Sequence, residues 1–194
     1  MRLTWKAVTP MAKAIIPSQF PPLTWDGLYW RGPIAVPWYA TAEPTELIVC
    51  PDYSRSCEPT DAPSAPQPTS TQLAAFQLLL DPQTPLRQSV LLLFTTHVPE
   101  LAGPDWASLE AFFELADVRI FHTSYEEVSY VGLVFNCLQW DYGYEHGVGI
   151  VAHKDRIAHF GVAEEATHES QAIKDLRRTR RKPGGHNSVR IRPS

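Results

Sequence analysis

Long apolar runs are missing from this chain. The longest, SVLLLF at residues 89–94, falls far short of the roughly 20 residues a helix needs to cross a bilayer. The opening stretch, MRLTWKAVTPMAKAIIP, has basic residues but no continuous apolar segment of the kind a secretory signal requires, and the expectation is a cytoplasmic protein without membrane attachment. Cysteine is scarce: Cys50, Cys57 and Cys137 are the only three, with no zinc-type spacing. They read as reduced thiols, although a Cys50–Cys57 bridge is geometrically allowed. Catalytic signatures are lacking too. No glycine-flanked serine, no HExxH, no CxxC and no phosphate-cradling glycine loop occurs. These absences leave few enzyme classes, and no cofactor is expected.

Proline is plentiful: eighteen prolines against ten glycines imply rigid, extended connections. With 194 residues and 44% hydrophobic content, the chain is long enough to bury one substantial core. Its net charge of −4 hides an asymmetry. Residues 1–168 carry 9 Lys/Arg against 19 Asp/Glu, a net of −10, whereas residues 169–194 carry 8 against 2, a net of +6. An acidic body with a basic tail points either to a cationic partner or to a tail with a partner of its own.

Residues 1–50 read as short strands: LTWKAV, a TWDGLYW hairpin turning at Asp-Gly, GPIAVPWYA and ELIVC. The prolines in these runs argue for edge positions. Residues 51–69, rich in proline and small polar groups, form a connector. Three helices follow. Thr69 and Gln72 match a capping box ahead of Leu73, Phe76 and Leu80. Thr84 as a side-chain cap and Pro85 open a second helix, with Leu86, Val90, Leu93 and Phe94 on one face and His97 at its end. Asp105 caps a third, with Leu109, Phe112, Phe113 and Ala116 inward. From Asp117 the period becomes two, and VRIFHTS, SYVGLVFNCLQW, GVGIVAH and RIAHFG predict a four-strand antiparallel meander. A last helix spans about 163–181. The fold class is therefore α+β: an antiparallel sheet of N-terminal short strands plus a C-terminal four-strand meander, three central helices and a C-terminal helix. Residues 70–181 complete one globular domain with 1–50, and 182–194 form a basic tail.

The stretch WDYGYEHGVGIVAHKDRIAHFG, residues 140–161, concentrates histidines, acids and tyrosines. Asp141, Glu145 and His146 occupy a turn rim where a His–carboxylate pair could serve acid–base or metal-dependent hydrolysis. Adjacent Glu145 and His146 on extended backbone would point to opposite faces, which weakens that reading. His153 and His159 flank a tight turn containing Asp155 and could supply two metal ligands, with His122, Glu145 or His146 completing the set. The simplest reading is structural. Gly147 and Gly149 share one face, open to close approach by another segment, while Val148, Ile150 and Ala152 face the core.

The pattern YVGLVFNCLQWDYGYEHGVGIVAHKDRIAHFG resembles the signature of a bacterial family of unknown function, through Gly132, Cys137, Trp140, Asp141, Glu145, His146, Gly147, Gly149 and Gly161. The resemblance covers roughly residues 65–165 and departs in the longer YGY insert between Trp-Asp and Glu-His-Gly. It implies no activity, but small bacterial domains of this type are similar in kind to immunity proteins that neutralise toxins. Together with the acidic body, this predicts a protein-binding module for a cationic toxin. Its expected contact residues are Tyr125, Glu126, Glu127, Asp141, Tyr142, Tyr144, Glu145 and His146, tyrosines anchoring and carboxylates meeting Arg or Lys. Nucleic acid has one candidate contact, the basic segment 177–192, which lacks aromatic residues for stacking and hangs from an acidic body.

Overall fold

The computed structural model describes residues 19–41, 44–52, 65–98, 101, 106–138 and 146–181. The expected strand at LTWKAV, the connector core at 53–64, Cys57, and the tail beyond 181 lie outside them. One seven-stranded sheet organises the rest, with its strands in chain order: β1 (Thr24–Trp25), β2 (Trp30–Ile34), β3 (Thr45–Val49), β4 (Phe113–Tyr125), β5 (Val128–Cys137), β6 (Val148–His153) and β7 (Arg156–Val162). The class is α+β, as the separate blocks of strand and helix imply. The sheet is not wholly antiparallel, however. β3 and β4 pair in parallel, from Glu46 opposite Asp117 to Val49 opposite Ile120. A parallel pair needs a long crossover, and α1 (Ser70–Leu80), α2 (Pro85–His97) and α3 (Trp106–Phe112) provide it. The N-terminal strands are thus welded to the meander rather than forming a sheet of their own.

The TWDGLYW turn forms as its sequence demands. Gly27 has φ +102, and the Asp26 carboxylate accepts the amides of Leu28 and Tyr29 at 2.8 and 2.7 Å, closing the β1–β2 hairpin. GPIAVPWYA is strand only as far as Ile34. Pro33 faces β3 on one side and no residue of β1 on the other, so its missing amide costs nothing there.

Thr69 and Gln72 form the full capping box, and Gln72 does more. Its buried Nε2 donates to the Cys50 carbonyl at 2.6 Å and to those of Ile120 and Phe121 at 3.3 Å, tying α1 to the parallel junction. Thr84 makes no side-chain cap. Instead its carbonyl accepts the Arg87 amide at 3.1 Å, and the residue is buried. The third helix stops at Phe112, and β4 starts at once. Ala116 sits at a break in the β4–β5 register between Leu115 and Asp117, so Phe113 and Leu115 are strand residues. That extra residue puts 112, 113 and 116 at spacings that imitate a helix.

Both faces of the sheet are covered. On one, α1–α3 pack over Leu47, Val49, Val118, Ile120, Val131, Leu133, Phe135, Val148 and Ile150. The alternate residues, Ile48, Phe121, Tyr130, Val134 and Val151, form a smaller core beneath a 3-10 turn (Ala163–Ala166) and α4 (Ser170–Arg180). The single last helix expected from 163 is therefore two pieces. Glycine explains the first: a Cβ on Gly149 would lie 2.5 Å from the Val162 carbonyl and 2.9 Å from the Ala166 Cβ, and one on Gly132 would strike the Ala166 carbonyl. The 3-10 turn lies on bare backbone at these two positions.

Candidate functional site

The β4–β5 and β6–β7 hairpins turn at the same end of the sheet, side by side. Two residues, Glu126 and Glu127, link Tyr125 to its partner Val128, and both have positive φ, +47° and +63°. A two-residue turn with both centres left-handed is the type that ordinarily carries Asn-Gly, because an L side chain is strained there. Next to it, Lys154 (φ +55) and Asp155 join His153 to Arg156, and Lys154 stands where such a turn favours glycine. The three non-glycine residues with positive φ among the described residues thus lie in two adjoining turns, and all three are charged.

Lys154 Nζ reaches Glu126 Oε2 at 2.9 Å across the two turns, and this contact lowers the Glu126 pKa. Both side chains are well exposed, so the pair adds little stability. Glu127 and Asp155 are exposed. The rim therefore presents three carboxylates against one ammonium.

Beneath the rim lies a polar cluster that fixes it. Asp175 of α4 receives Arg156 at 2.8 and 2.5 Å in a bidentate pair, and Tyr130 Oη donates to the same carboxylate at 2.8 Å. Burial opposes ionisation of Asp175, but these hydrogen bonds outweigh it and its pKa falls. The Tyr130 phenol is pushed up by burial and by the same carboxylate. The His153 ring lies 4.7 Å from that of Tyr130, and its Nε2 shares a 2.8 Å hydrogen bond with the Tyr125 carbonyl. Burial lowers the His153 pKa, keeping the ring neutral. The turn backbones are held from below by an ion pair and a neutral imidazole.

The expected contact residues divide. Glu126 and Glu127 are exposed on the rim, and Tyr125 stands beside them, half-buried against His153 with ring centroids 5.6 Å apart. His146 is at the other end of β5 and β6, roughly 30 Å away by strand rise, where its carbonyl accepts the Ala163 amide at 3.3 Å. The structure therefore does not bring His146 into one patch with residues 125–127. Asp141, Tyr142, Tyr144 and Glu145 lie outside the described residues.

His153 and His159 are not cross-strand neighbours either: they face Arg156 and Val151. His153 is buried, and His159 Nε2 pairs with Glu165 at 3.0 Å over Gly161. Among the described residues, no group of three or more His, Cys, Asp or Glu could hold a metal ion. Cys50 and Cys137 are free and buried, and burial raises their pKa to about 12 and about 11, the reverse of an activated thiol. No described helix is long and apolar enough to cross a membrane.

The sequence reading missed Lys154, Asp155, Arg156, Tyr130 and Asp175 as parts of one site. The local signal for the turns was present, since YEEV and HKDR each separate two strand runs by two residues. The pairing of Asp175 with Arg156 has no local signal. Comparison with family models, with curated proteins and with solved structures found no match.

Proposed function

We propose that this protein is a binding module whose paired-turn rim, Glu126, Glu127 and Asp155, engages a cationic surface on another protein. One observation carries the reading: charged residues occupy turn positions where glycine or asparagine would be more stable. Strain of this kind persists where something other than stability maintains it, and non-glycine left-handed residues cluster at functional surfaces. A rigid, pre-arranged row of carboxylates offers an arginine- or lysine-rich partner fast, steered association with little ordering cost. Toxin neutralisation is the form of this activity that the acidic body and the resemblance across residues 65–165 support. An acidic rim is suited to covering the cationic site of an enzyme that acts on anionic substrates.

The test is affinity capture with the tagged full-length chain at low and high salt, beside a Glu127→Lys/Asp155→Lys variant. Wild type should hold a stoichiometric basic protein at low salt and release it at high salt, and the folded variant should not hold it. Equal capture by the variant, or a complex indifferent to salt, would overturn the proposal.

A further inference from the structure

We propose that the outer face of α4 is a docking surface for the phosphodiester backbone of nucleic acid. Residues 177–181 are expected from sequence at the end of the last helix, where the basic segment 177–192 begins. The structure makes them the last turn and C-cap of a helix planted in the sheet. Glu169, at its N-terminal end, accepts the amides of His122 and Thr123 in β4, and Asp175 is bound to Tyr130 in β5 and Arg156 in β7. Ala172 and Asp175 are buried and Leu176 is half-buried. The opposite face carries Lys174, Arg177, Arg178 and Arg181, all exposed, at the i, i+3, i+4, i+7 spacing that lines one side of a helix. None of the four has a carboxylate partner among the described residues. The helix's one acid, Asp175, is neutralised on the buried side by Arg156.

The helix dipole accounts for part of this pattern, because cations favour a C-terminus. That effect fades beyond the last turn and does not account for Lys174. The stripe spans about 10 Å of helix axis, the length of roughly three phosphates along one strand. Three of its four cations are arginine, whose fork matches phosphate in bidentate fashion. The stripe holds no aromatic or aliphatic residue. A protein interface would want an aromatic or apolar anchor, as Tyr125 offers beside the acidic rim and nothing offers here, and membrane insertion an apolar face left free of the sheet. A surface of cations alone fits a partner that binds by counterion release. The sequence after Asp175 contains no acid and adds Arg180, Lys182, Arg190 and Arg192.

The experiment is fluorescence anisotropy of a labelled random-sequence DNA duplex and an RNA hairpin with the full-length protein over a salt series. Phosphatidylserine-containing vesicles serve as a third probe. Wild type should bind one or both nucleic acids at low salt. Arg178→Gln/Arg181→Gln, with an unchanged circular dichroism spectrum, should make the slope of log affinity against log salt shallower by about two units. Should that variant fail to fold, Lys174→Gln alone should shallow it by about one unit. No binding at low salt, a slope unchanged by the substitutions, or binding to vesicles but to neither nucleic acid would overturn the proposal.

Discussion

Gly149 shows how much a single residue decides here. Its missing side chain admits the Val162 and Ala163 carbonyls and the Ala166 methyl, so the chain can cross back over β6 directly after β7. Gly149→Ala places a Cβ among backbone atoms that have no freedom to yield. It should cost about 3 kcal/mol, seen as a lower urea midpoint with an unchanged slope. Glu127 is the opposite case. Its φ of +63° suits glycine, so Glu127→Gly relieves strain and should leave stability equal or raised, by up to about 1 kcal/mol. Glu127→Val, β-branched in the same conformation, should lose stability in the same denaturation experiment. The two glycine effects have opposite signs because Gly149 makes room for a neighbour and residue 127 needs only a backbone angle.

At the scale of elements, α4 is held to the sheet by Ala172 and Leu176 and by the hydrogen bonds of Asp175 to Tyr130 and Arg156. Asp175→Asn leaves the Arg156 guanidinium half-buried without its counter-charge and should destabilise the fold by about 2 kcal/mol, less than a fully buried pair would lose. The pH dependence follows from the same cluster. Asp175 has a lowered pKa, so the stability it contributes is complete above the ordinary carboxyl value near 3.9 and disappears as pH falls through its lower folded value. His153 also has a lowered pKa. Between its folded value and the ordinary value near 6.5, the unfolded chain binds the proton first, so stability declines as pH drops below about 6.5 and levels once the folded ring is charged. His153→Gln should flatten that upper step and leave the acid one, as denaturation midpoints measured from about pH 8 to about pH 2 would show.

Elements are also where sequence was most informative. The meander was legible because VRIFHTS alternates, the next strand is rich in β-branched and aromatic residues, and two of its three turns have only two residues, and the α1 capping box was legible because all its groups lie within four residues. The early start of β4 was hidden by the extra residue Ala116, which turns a period of two into an apparent helical spacing. The parallel β3–β4 pairing was hidden for another reason: its partners are about seventy residues apart, and ELIVC suits either direction. The candidate site was half legible. Tyr125, Glu126 and Glu127 stood out by composition, but their separation from His146 depends on β5 running the full length between them.

For the whole molecule, the parallel junction makes two blocks of strands one folding unit. Trp30 donates to the Pro66 carbonyl at 2.7 Å, Trp38 to that of Leu79 at 3.0 Å, and Tyr39 to that of Phe113 at 2.7 Å, so the N-terminal segment is bonded to the crossover and to β4. Tryptophan fluorescence, with three of the six tryptophans at Trp25, Trp30 and Trp38, and far-ultraviolet circular dichroism, weighted toward the helices, should therefore give coincident unfolding curves. Gln72→Met, which removes the side chain joining α1 to β3 and β4, should shift both curves together by about 2 kcal/mol. Charge is distributed on the same scale: an acidic rim at the paired turns and a cationic stripe on α4, each on a rigid support.

On the proposed function, the rim keeps its charged residues at the expense of stability because they bind a partner. The most direct measurement combines the denaturation midpoint and the partner capture of one variant, Glu126→Asn/Glu127→Gly, which installs the residues the turn itself prefers. The expected result is a protein more stable than wild type, by about 1 kcal/mol, that no longer retains the basic partner. A variant that is less stable, or that still captures the partner as wild type does, would contradict it.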